Sequence, residues 1–228
     1  MAAREPLSYP WHDPPADLRP EHVLVGRMSY EAYRQLAETH ELGLEYVDGV
    51  AYAVQTGNIR HATIATNVLR RVLGPADASG CRVFSMSVSV RTPRRNEYIP
   101  DLFVDCARPT RDDLDDHASE TPCLIVEVVS PSTAFVDLEA KRPAYLEIPT
   151  LGAYLAVETD WRAVHRWWRT ESGAWARGLV TGDGAVPLPC PVGVTLTLGD
   201  VYAGLQVPAE PPAPRIPHLR RVREPEPV

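Results

Sequence analysis

The run Leu124-Ile125-Val126-Glu127-Val128-Val129 constrains this chain more than any other segment. Aliphatic side chains fill both alternating positions, so neither face of the strand it predicts can meet water. Such a strand belongs in the middle of a sheet covered on both sides. The one carboxylate inside it must then be paired, hydrogen-bonded or bound to a cation, because an isolated buried charge is costly. Two readings of Glu127 follow: a buried ion pair with an Arg, or a metal ligand or general base.

A chain of 228 residues is long enough to build one domain with a sizeable core around that strand. Prolines crowd both ends, where they exclude helix interiors and central strands. The expected organisation is a Pro-rich N-terminal extension over 1–25, a folded domain over 26–206 and a Pro/Arg-rich tail over 207–228. Inside the domain, Ser29 is placed to cap a short helix. Two β-prone runs flank Asp48-Gly49, which predicts a hairpin. Asn58 precedes a long amphipathic helix that Gly74-Pro75 is expected to end. Strands are predicted over 82–91, 99–106, 123–129, 153–158, 163–169 and 174–180, with a helix from about residue 139 to Ile148. The order of elements predicts a mixed α/β domain with one main sheet.

Several function classes drop out. No apolar run is long enough to cross a bilayer, and the N-terminus lacks a signal-peptide stretch, so a cytoplasmic location without membrane contact is expected. The net charge of −7 argues against coating nucleic acid by bulk charge, though not against a local basic rim around an acidic site. Phosphate-loop, serine-hydrolase-elbow and HExxH patterns are absent from the sequence. Cys81, Cys106, Cys123 and Cys190 show no CxxC spacing and are expected to be reduced core residues, neither a zinc site nor a disulfide framework.

Asp101 is the second candidate acid, at the opening of the apolar run Leu102-Phe103-Val104. Alone, Pro100-Asp101 is ordinary turn chemistry. If its strand neighbours that of Glu127, both carboxylates can meet one hard divalent cation, Mg²⁺ or Mn²⁺ rather than zinc. Lys141 is the third candidate. It is the single Lys among 23 basic residues, and a helix beginning beside the strand would return its amine to the acids. A compact ammonium there could neutralise charge developing on a phosphate, a task that an Arg fork does not duplicate. Glu45, in the hairpin, is a fourth acid or an exposed strand residue. His61 and Arg60, at the start of the long helix, are phosphate contacts or surface and capping residues. The acidic run 112–116 reads as a solvated loop, and Trp167, Trp168 and Trp175 as hairpin packing.

The pieces Tyr30-Glu31-Ala32-Tyr33, Glu45-Tyr46-Val47-Asp48-Gly49, the His61 helix, Pro100-Asp101-Leu102 and Val126-Glu127-Val128-Val129-Ser130-Pro131-Ser132-Thr133, followed by Asp137, Lys141 and Tyr145, resemble the Uma family of putative restriction endonucleases in the PD-(D/E)XK nuclease superfamily. The resemblance covers roughly residues 28–205. It implies a restriction-endonuclease-like core, with a central mixed β-sheet flanked by helices and extra β-hairpins. It also implies Mg²⁺-dependent hydrolysis of DNA phosphodiester bonds, with Asp101 and Glu127 holding the metal beside the Val128 carbonyl, Glu45 completing the shell and Lys141 orienting water. The superfamily's in-strand lysine would fall at Val129, so the amine must come from Lys141. A homodimer is the simplest way to cut both strands. The alternatives are an inactive nuclease-fold protein that binds nucleic acid or a protein partner, and a hydrolase of a small phosphorylated or nucleotide substrate.

Overall fold

The computed structural model describes residues 22–54, 57–110, 115–130 and 136–211. The chain opens with β1 (His22–Arg27), α1 (Tyr30–Ala37), β2 (Leu44–Val47), β3 (Val50–Val54) and α2 (Ile59–Ala78). Next come β4 (Arg82–Phe84), β5 (Ser89–Arg91), β6 (Glu97–Tyr98), β7 (Leu102–Asp105), β8 (Ala118–Ser119) and β9 (Pro122–Val129). A π-helical segment, Val136–Lys141, leads into α3 (Arg142–Leu146). β10 (Ala153–Glu158), β11 (Ala163–Arg169), β12 (Trp175–Thr181), β13 (Ala185–Pro187), β14 (Thr195–Thr197) and α4 (Leu198–Val201) complete the described chain.

The aliphatic run is the core of β9, which is flanked by β10 in parallel and β7 antiparallel within the sheet β12-β11-β10-β9-β7-β4. Its two faces serve different cores. Leu124, Val126 and Val128 pack with Ile64, Val68 and Val72 of α2. Ile125 and Val129 face the opposite way, with Leu138, Tyr145 and Ile148. Burial of each of these side chains contributes about 1.5–3 kcal/mol, which explains why both parities of the run are apolar. The mixed sheet flanked by helices is the expected fold class. Among the described residues, no helix is long and apolar enough to cross a membrane.

Local signals place the first elements. The Ser29 hydroxyl accepts from the Ala32 N–H at 3.2 Å, and the Asn58 side chain accepts from the His61 N–H at 3.0 Å. Asp48 and Gly49 both adopt positive φ, 49° and 86°, as a two-residue hairpin turn between β2 and β3 demands. Gly49→Ala is therefore expected to cost about 1–2 kcal/mol in urea unfolding, from backbone strain alone. Its added methyl would meet only Arg27 Nη1 at 3.8 Å and two atoms at 4.0 Å.

Other expectations need correction. α2 runs through Gly74-Pro75 to Ala78. The carbonyl that Pro75 leaves without its helical donor belongs to Arg71, on the exposed side, where water can satisfy it, while Val72 and Ala76 anchor the turn in the core. The strand expected over 82–91 is two strands, broken near Met86, which has φ 51°. The strand expected over 99–106 begins only at Leu102, and β6 precedes it. In each case the chain leaves one sheet for the other, so the hairpins form a second six-stranded sheet, β1-β3-β2-β6-β5-β8. β1 starts at His22, inside the span expected for the N-terminal extension. At the other end Arg162 N–H donates to the Pro208 carbonyl at 2.7 Å. The remainder of both expected tails lies outside the described residues.

The Trp residues behave as hairpin packing: Trp167 is buried, Trp168 lies opposite Ala176, and Trp175 opposite Arg169. Of the acidic run, Asp116 binds Arg91 and Arg34, and residues 112–114 lie outside the described part. The cysteines are not separate reduced core residues. Cys81 is bonded to Cys106 and Cys123 to Cys190, because strand ends far apart in sequence converge there.

Candidate active site

Asp101 lies where the chain crosses from β6 of one sheet to β7 of the other, and Glu45 projects from β2 beside that crossing. The Ile99 N–H donates to Glu45 Oε1 at 2.9 Å. Because Leu102 pairs with Val126 in antiparallel register, Asp101 falls opposite Glu127. The two are interlocked through the backbone: Asp101 N–H donates to Glu127 Oε2 at 3.3 Å, and Val128 N–H donates to Asp101 Oδ2 at 2.6 Å.

Lys141 comes to these acids from the end of the π-helical segment. Its Nζ lies 2.9 Å from Glu45 Oε1, 3.5 Å from Glu127 Oε1 and 3.6 Å from Asp137 Oδ1. Lys141 is 4% exposed, so these are contacts in a dry environment. Pro143 has no N–H to return to the preceding turn, and the backbone widens into the π form just ahead of it.

Asp137, Lys141 and Tyr145 recur every four residues, which sets them along one side of this segment. The Tyr145 hydroxyl donates to Glu127 Oε1 at 3.1 Å. The Tyr154 hydroxyl, from β10, donates to the Asp137 carbonyl at 3.1 Å. Asp137 and Tyr145 enter the sequence reading only as part of the resembling motif, with no site role; their contacts with Lys141 and Glu127 make them members of the cluster.

Electrostatics follow from this crowding. Burial pushes the Glu127 carboxyl well above the usual glutamate range; Lys141 opposes the shift, and Asp137, Asp101 and Glu45 reinforce it. Burial works against the Lys141 ammonium, but Glu127, Glu45 and Asp137 together hold it well above the ordinary lysine value. Burial, with Glu127 next, also raises the Tyr145 phenol. Lys141 is thus a fixed cation at neutral pH, and Glu127 is a carboxylate among like charges.

The remaining expected residues lie at the margin. His61 Nε2 is 2.7 Å from Asp101 Oδ1, so the imidazole contacts the acid directly. The Arg60 guanidinium lies 3.1 Å from Asp160 in an exposed pair. The Pro131-Ser132-Thr133 part of the motif lies outside the described residues. Another buried acid outside this cluster, Glu97, receives Tyr33, Ser89 and Arg91 and ties α1 to the second sheet.

Known proteins bear on this arrangement. An uncharacterized protein of Synechocystis, slr1290, is 27% identical over 180 residues, spanning 78% of this chain and 93% of that protein. The crystal structure of a putative nuclease of the DUF820 group from Anabaena variabilis superposes with a TM-score of 0.64. It is 16% identical and covers 77% of this chain and 97% of its own, a likeness of fold. The profile of the Uma2 family, described as putative restriction endonuclease, matches residues 30–199, most of the folded chain, and the protein belongs to that family.

Proposed function

We propose that this protein is a divalent-metal-dependent nuclease that hydrolyses phosphodiester bonds of DNA at the site built on Asp101, Glu127 and Lys141. The observation that carries this reading is the surplus of buried hard-oxygen charge around Glu127, where Asp101, Asp137 and Glu45 face a single ammonium. Such a surplus fits Mg²⁺ or Mn²⁺ and has little use in a purely structural ion pair. Asp101 and Glu127 would hold the cation, together with the Val128 carbonyl. Among the described residues, no three carboxylate or imidazole donors lie within 4.8 Å of one another. That suits Mg²⁺, which commonly takes one or two carboxylates and completes its shell with water and substrate phosphate. When bound, the cation supplies Lewis acidity toward a phosphodiester oxygen and acidifies water.

The chain's own groups do the positioning. Tyr145 fixes Glu127 Oε1, while the backbone N–H of Val128 and the His61 imidazole fix the two oxygens of Asp101. Lys141 presents an ammonium to the attacking water and the developing phosphorane charge. Glu45, a candidate metal ligand from the resemblance, anchors Lys141 in this reading. Arg60 would exchange Asp160 for a backbone phosphate. Two copies acting together would cut both strands, in the cytoplasm where DNA is accessible.

The test is cleavage of supercoiled, linear and single-stranded DNA with Mg²⁺ or Mn²⁺. The expected result is cleavage that a chelator abolishes, reduced about 100-fold or more in Asp101→Asn, since one metal ligand carries several kcal/mol of transition-state stabilisation. Hydrolysis of a small phosphodiester without DNA cleavage would favour the small-substrate enzyme. DNA binding with no hydrolysis of either would make the protein a binding module.

A further inference from the structure

The four cysteines lie outside everything the nuclease reading uses. Cys81 falls between α2 and β4, Cys106 just beyond β7, Cys123 in β9, and Cys190 in the loop joining β13 to β14. Two cross-links between distant segments have no physical need to share one locus, yet these two do. Cys106 Sγ is 3.5 Å from Cys123 Sγ and 3.4 Å from Cys190 Sγ, both across the two bonded pairs. The sulfurs of Cys106, Cys123 and Cys190 all lie within 4.8 Å of one another.

A tetrahedral zinc centre with bonds of about 2.3 Å spaces its sulfurs about 3.8 Å apart, close to the 3.5 and 3.4 Å that separate Cys106 from Cys123 and Cys190, and the bond from Cys81 to Cys106 tethers the fourth sulfur beside them. We propose that in its reduced state the protein binds one Zn²⁺ through the thiolates of Cys81, Cys106, Cys123 and Cys190. The zinc would staple the end of the main sheet to the β13–β14 hairpin. Each disulfide takes two electrons and two protons from a dithiol reductant, which itself becomes a disulfide. The four thiols then lose four protons as they ligate the cation. Four sulfur ligands leave no open position, so this centre is structural, unlike the oxygen-rich site on the other core. Cys106 is exposed and Cys123 half-buried, which provides an entry path, whereas Cys81 and Cys190 are buried.

The full chain, expressed in a reducing cytosol and purified with reductant and without chelator, should carry one zinc per chain by elemental analysis. Titrating its thiols with an organomercurial should release that zinc. Exchange for Co²⁺ should give thiolate-to-cobalt charge-transfer absorption and the visible bands of a tetrahedral ion. Cys190→Ser and the exposed-site Cys106→Ser should each lower zinc content about tenfold, while Glu127→Gln should leave it unchanged. The cobalt spectrum of the wild type decides the question even if a Cys variant fails to fold. Zinc no higher in the wild type than in the Cys variants, iron in place of zinc, or recovery of both disulfides from cells alkylated before lysis would each overturn the proposal.

Discussion

Lys141→Met is expected to destabilise the metal-free protein by about 3–5 kcal/mol at pH 8, because removing one partner of a buried ionic cluster leaves its counter-charges uncompensated. Three carboxylates lie within 3.6 Å of that ammonium. In a domain of this size the loss corresponds to a melting midpoint lower by roughly 10 °C. The deficit should depend on pH with a definite sign. Burial, reinforced by Asp137, Asp101 and Glu45 against the opposing Lys141, holds the folded Glu127 carboxyl above its ordinary value of 4.5. The folded state therefore binds this proton more tightly than the unfolded chain does. The stabilisation is complete below 4.5 and is lost as pH rises through the folded value. Without the ammonium the opposing influence disappears and the loss deepens. The gap between wild type and variant, measured by thermal melts in chelator from pH 5 to 8, should widen as pH rises. A flat gap would mean that the cluster is already protonated or solvated. Lys141→Arg should also lose stability, by about 1–3 kcal/mol, since its longer fork overfills an enclosed site.

Glu127→Gln separates the site from the scaffold. The amide nearly preserves shape: with its single oxygen toward Tyr145 and Lys141 it keeps those two contacts and loses only the 3.3 Å bond from the Asp101 N–H, so packing on β9 should survive. It removes a charge that Asp101, Asp137 and Glu45 all disfavour, while Lys141 keeps Glu45 and Asp137 as partners. The metal-free variant should therefore be as stable as the wild type within about 1 kcal/mol, or more stable, the pattern expected where function is bought with stability. Its DNA cleavage should fall about 1,000-fold, since about 4 kcal/mol of transition-state stabilisation goes with the metal ligand. Paired urea melts and initial cleavage rates measure both halves. A variant that loses several kcal/mol of stability and retains its cleavage would make Glu127 a structural partner of Lys141 and move the chemistry elsewhere.

His61 and Arg60 show how local signals can stop short of a site. Their neighbouring positions at the helix start suggest one shared phosphate contact, yet the helix turns them to different partners: His61 to Asp101 and Arg60 to Asp160. Pro75 is the opposite case. A strong stop signal is overridden because Ala76 is buried beyond it and the orphaned carbonyl belongs to the exposed Arg71.

What the amino-acid sequence determined by itself is short-range: the doubly covered strand around Glu127, the Asp48-Gly49 turn, the caps at Ser29 and Asn58, and the placement of the sole Lys 14 residues after Glu127. Each follows from side-chain periodicity or backbone chemistry within a few residues. Only the tertiary structure decided that the strands break at Met86 and before Leu102 to pass between two sheets, and that Asp101 stands at one such crossing. It alone brought Glu45 to Lys141, 96 positions away, and gathered four cysteines with no common spacing. Contacts of that range arise from which faces of the two sheets must be buried against which helices. That choice is made by the packing of the whole core, and no local pattern along the chain records it.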